Sequence, residues 1–124
     1  MTIFKIRNKL DPILKKYNQA SSDFAKDKIS ISEHKIFARK FIEEIKELYD
    51  MRLKLKLSKR LEKANDLYGK SIDHLLKSTI FLQSYVDTDY IGKMGRYLEQ
   101  ATNEINLSSE YVLKFFKQVE KLTE

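Results

Sequence analysis

The chain has 124 residues, of which 42 % are hydrophobic and 34 % charged, and its formal net charge is +6. That balance supplies one apolar core and excludes a disordered tail. The lack of Cys excludes disulfides and thiolate metal sites, and no run of 18 apolar residues is present to cross a membrane. Strand formers are scarce, since Val86, Val112 and Val119 are the only valines. Three Gly and one Pro leave few turn signals. Composition therefore points to an all-α fold.

The first predicted helix covers residues 3–27. Its stripe is Ile3, Ile6, Leu10, Ile13, Tyr17, Ala20 and Phe24, spaced alternately by three and four. Pro12 falls inside it. Proline removes one helical hydrogen bond and crowds the preceding turn, so a kinked or two-piece helix is expected. The opening residues mix Lys5 and Arg7 among apolar ones and hold no apolar h-region, so they do not read as a signal peptide.

A loop from Lys26 to Ile31 follows. Ser30 and Glu33 have the spacing of a capping box, in which each side chain satisfies a backbone N–H at the helix start. The second helix, 32–56, carries Ala38, Phe41, Ile45, Leu48, Arg52 and Leu55, widened by Phe37, Ile42, Tyr49 and Leu53. So wide a face suits a helix packed between two neighbours. The boundary around Leu53–Leu57 has no Gly or Pro, leaving a tight turn and one continuous helix both open.

The third helix, 58–86, places Leu61, Ala64, Tyr68, Ile72, Leu75, Thr79, Leu82 and Val86 on one face. Asp87-Thr88-Asp89 is a short connection, which makes the third and fourth helices antiparallel neighbours. The fourth helix, 89–122, is the most regular. Its stripe is Ile91, Met94, Leu98, Ala101, Ile105, Ser108, Val112, Phe115, Val119 and Leu122, with Ser108 alone not apolar. A one-sided helix about 50 Å long needs other helices against it. The expected architecture is an elongated antiparallel four-helix bundle, one domain over 1–124 with coiled-coil-like heptads.

Chemical motifs are few. Di-iron bundles need Glu three residues before His, and neither His34 nor His74 has it. The two histidines are forty residues apart, too far for a His-x-x-x-His zinc site. His34 is expected to be exposed in the first turn of the second helix, and His74 to lie at the edge of the core. No nucleophile elbow is present, nor the Arg-x4–6-His spacing of helical HEPN ribonucleases. No catalytic residue, cofactor, metal or small-molecule substrate is assigned, and the chain reads as a non-enzyme.

Charge is unevenly placed. Residues 1–86 carry 19 basic and 11 acidic side chains, and residues 87–124 carry 5 and 7. The densest basic stretch is Arg52, Lys54, Lys56, Lys59, Arg60 and Lys63, opposed by Glu62. It is the candidate polyanion-binding segment, toward nucleic acid or an anionic membrane surface. Lys outnumbers Arg 19 to 5, whereas nucleic-acid readers favour the planar fork of Arg. Tyr90, Tyr97 and Tyr111 share one flank of the fourth helix and are the candidate partner-facing aromatics.

Ile91-Gly92-Lys93-Met94-Gly95-Arg96 resembles the Gly-x-x-Gly loop of KH RNA-binding domains. That resemblance implies a three-stranded sheet and a loop clamping a nucleic-acid backbone. The alternative is two small residues where the fourth helix starts against a neighbour. The repeats Leu61–Leu67 and Leu98–Ile105 are also similar to small helical-bundle proteins of Gram-positive bacteria, some of them lipoproteins. The expected function is an interaction module that binds a protein partner or self-associates through helix faces. The alternatives are nucleic-acid binding through 52–63 and the Gly92–Gly95 turn, or a membrane-surface or lipid-anchored protein. A cytoplasmic location is expected, or an extracytoplasmic one where a leader is removed.

Overall fold

The computed structural model describes residues 3–54 and 62–123, with side chains for 8–54 and 62–121. Four helices form an all-α antiparallel bundle: α1 (Ile3–Ala25), α2 (Ile31–Leu53), α3 (Glu62–Asp87) and α4 (Ile91–Thr123). There is no strand among the described residues. Consecutive helices pack as pairs, α1 on α2, α2 on α3, and most extensively α3 on α4, whereas α1 and α4 form no comparable pair. The bundle is therefore closed along three seams and loose along the fourth.

Helix α1 runs through Pro12 in one piece rather than two. Asn8, whose carbonyl the proline leaves without a partner, and Pro12 itself are both exposed, so water can replace the missing bond. The helix ends on Asp27, which has φ 58°. Lys28 N–H donates to Asp23 C=O (2.8 Å) and Asp27 N–H to Phe24 C=O (3.1 Å). These two bonds are a Schellman motif with Asp where Gly is usual.

The Ser30 capping box is formed. Ser30 Oγ accepts from Glu33 N–H (3.1 Å), and Glu33 Oε1 accepts from Ser30 N–H (3.2 Å). Helix α2 ends at Leu53 with Lys54 as C-cap. Because α2 and α3 lie side by side, they are separate helices. The rest of the Leu53–Leu57 boundary, together with Leu61, lies outside the described residues.

The stripes build the core. Leu10, Ile13, Tyr17 and Ala20 of α1, and Ala38, Phe41, Ile42, Ile45 and Leu48 of α2, are buried. So is every described member of the α3 stripe. Helix α3 adds a second buried row, Ser71, Ser78 and Tyr85. Small side chains on both sides (Ser71, Ala101, Ser108) let α3 and α4 approach closely. Ser71 Oγ and Ser108 Oγ share a buried hydrogen bond of 2.7 Å. The remaining hydroxyls turn back on their own helix, Ser78 to Leu75 C=O and Thr79 to Leu76 C=O.

His34 is not exposed but 1 % accessible. Its Nδ1 lies 2.8 Å from Tyr85 Oη and its Nε2 3.3 Å from Ser21 Oγ. The ring stacks on Phe24 at 4.7 Å. One imidazole thus ties α1, α2 and α3 together. The reason is phase: His34 precedes Ala38 by four residues and continues the apolar stripe toward the helix start.

Candidate functional site

Three surface features bear on function. The first is the basic stretch. Arg52 is half-buried, and its guanidinium lies against Gly69 of α3. A Cβ on Gly69 would meet Arg52 Nη2 and sit 3.0 Å from Cζ. Among the described residues, Arg52 Nε and Tyr68 Oη are buried without a hydrogen-bond partner. Burial, with Asp11 nearby, pushes the Tyr68 phenol well above its ordinary range, and Arg52 partly offsets this. Arg52 is therefore a packing residue as much as a surface cation. Lys54 and Lys63 are exposed. Lys56, Lys59 and Arg60 lie outside the described residues.

The second feature is the tyrosine flank, which the structure divides. Tyr90 is 72 % exposed, with Lys93 Nζ 5.4 Å above its ring. Tyr97 is half-buried against the core. Tyr111 stacks on His74 at 5.5 Å, with Lys114 and Lys70 over its faces. His74 Nδ1 in turn meets Glu104 Oε2 at 2.6 Å. His74 is a boundary residue as expected. Glu104, which the helical pattern puts on the polar side, instead bonds across the α3–α4 seam. Tyr111 thus belongs to that seam, and Tyr90 alone of the three stands free of it.

The third feature is the opposite flank of α4. Of the apolar stripe, Ala101, Ile105, Ser108 and Phe115 are buried, while Met94, Leu98, Val112 and Val119 are only half-covered. Ile91 is 77 % and Leu113 63 % exposed. Gly92 and Gly95 sit inside the helix, not in a clamp-like loop, so the KH geometry is not formed. They do not lie against a neighbour either. A Cβ built on either residue meets nothing within 4 Å. Gly95, in the helix interior, costs about 1 kcal/mol relative to Ala, and packing among the described residues explains neither glycine.

Chemistry-bearing clusters are sparse. No group of three or more metal-ligating side chains gathers among the described residues. No described helix is long and apolar enough to cross a membrane. Comparison with protein-family models, curated proteins and solved structures finds no match.

Proposed function

We propose that this chain is a non-enzymatic interaction module that binds another protein chain through the outer face of α4. The observation that carries the reading is the half-covered apolar stripe of the longest helix beside exposed Ile91 and Leu113. A helix 33 residues long with neighbours on one side only leaves apolar area for a second helix. The test is a photo-crosslinking amino acid at position 113, with position 40 on α2 as control, in cells that make the chain. Protein adducts specific to position 113 are the expected result. Equal or no adducts at both positions would sink the proposal.

A second reading is binding of nucleic acid or an anionic membrane surface through the basic stretch. It rests on Lys54 and Lys63, which are exposed at either side of the segment. Gel-shift titration at two salt concentrations and flotation with anionic vesicles test it. Phosphate contacts predict affinity that falls steeply with salt. Salt-independent or absent binding would refute it.

A further inference from the structure

Eight residues of α4 lie along its outer edge: Ile91, Gly95, Leu98, Thr102, Asn106, Ser109, Leu113 and Phe116. At 100° per residue they fall within a wedge of about 80°. None is charged, in a chain where 34 % of residues are. Six are exposed, and Leu98 and Phe116 are half-buried.

The strip is also self-complementary when read in reverse. An antiparallel copy, with its dyad between Ile105 and Asn106, sets Gly95 against Phe116, Leu98 against Leu113 and Thr102 against Ser109. The glycine provides the hole that the phenylalanine needs, since among the described residues nothing beyond its own stretch of helix lies within 4 Å of where a Cβ would sit. The leucines pair as apolar knobs and the hydroxyls as equals. An isologous two-fold contact demands such reciprocity.

We infer that α4 pairs with α4 of a second copy of this chain, antiparallel, along the Ile91–Phe116 strip. The inference rests on the proposed interaction role of α4 and names its partner. The strip is about 38 Å long and one helix, about 10 Å, wide. Its projected contact of about 400 Å² per copy is half of what a standard stable interface buries, about 800 Å² per partner. The dimer is therefore a weak, concentration-dependent one.

Sedimentation velocity over about 5–500 µM should show a monomer shifting toward dimer, as expected below the standard interface size. Leu113→Glu should hold it monomeric with unchanged melting temperature, because the side chain is already exposed. Gly95→Leu should also abolish the dimer, by filling the hole, while the monomer stays folded. The chain has no Cys, so introduced cysteines report register directly. Asn106→Cys should oxidise to a covalent dimer with itself. Thr102→Cys should cross-link with Ser109→Cys and not with itself. A chain monomeric at every concentration, or Thr102→Cys joining itself as readily as Ser109→Cys, would overturn the inference. A monomer that still gives specific adducts from position 113 would leave the interaction role standing and remove only the second copy. Absence of both would remove both.

Discussion

The imidazole of His34 offers a sharp test of how this fold is held together. Tyr85→Phe removes one hydroxyl from a place shielded from bulk solvent, since Tyr85 is fully buried and so is His34. Neutral imidazole presents one donor and one acceptor, and the hydroxyls of Tyr85 and Ser21 supply the complementary roles. Without Tyr85 Oη, one ring nitrogen is left buried and unpaired, at a cost of about 1–3 kcal/mol. A chain of this length loses about 4 °C of melting temperature per kcal/mol, so a shift of about 8 °C is expected for a 2 kcal/mol loss. Ser21→Ala breaks the longer 3.3 Å contact at a half-buried site, where water can substitute. It should cost about 0.5 kcal/mol, or about 2 °C. Thermal unfolding followed by circular dichroism reads both. Equal shifts for the two variants, or less than about 2 °C for Tyr85→Phe, would refute the view that the imidazole joins three helices.

The same site makes stability depend on pH. Burial lowers the His34 pKa below its ordinary value. Nearby Tyr17 and Tyr85 stay neutral, the latter pushed up to about 12 by burial and by Tyr17. Lys35 Nζ lies 5.6 Å from the Tyr85 ring and adds positive charge. The unfolded chain thus takes up a proton, near pH 6.5, that the native state refuses. Stability is full above that pH and falls as pH drops through it. His34→Gln keeps hydrogen-bonding capacity without titrating and should flatten the melting temperature between pH 5 and 7.5.

Four further substitutions probe the helices, each by thermal unfolding at low protein concentration. Asp27→Gly should raise stability by about 1 kcal/mol, because only the left-handed backbone at φ 58° is at issue; a loss would show that the Asp side chain matters there. Gly95→Ala should stabilise the monomer by about 1 kcal/mol, since its Cβ enters open space; destabilisation would reveal an unseen neighbour. Ile105→Asp, at 6 % exposure, should cost several kcal/mol. Glu104→Ala should cost about 1 kcal/mol through the lost His74 contact, and no loss would make that contact incidental.

Spacing alone was enough to read four helices from this chain, because a side chain recurring every three or four residues can reach only one helix face. The Ser30–Glu33 cap was equally legible, being a local exchange of two hydrogen bonds. Polar members of the stripes were harder to place. His34 keeps phase with Ala38, Phe41 and Ile45, and Ser71 and Ser78 with Leu75 and Leu82, yet their chemistry reads as surface. Tertiary structure decided that they are buried, because it supplied partners from other helices: Tyr85 and Ser21 for His34, and Ser108 for Ser71. It also decided which side of α4 is covered. A stripe announces that a face is apolar, whereas the number of helices that cover it depends on crossing geometry among segments distant in sequence. Gly92 and Gly95 follow the same division: their small size is plain in the sequence, but only the surrounding atoms show that the space beside them is open.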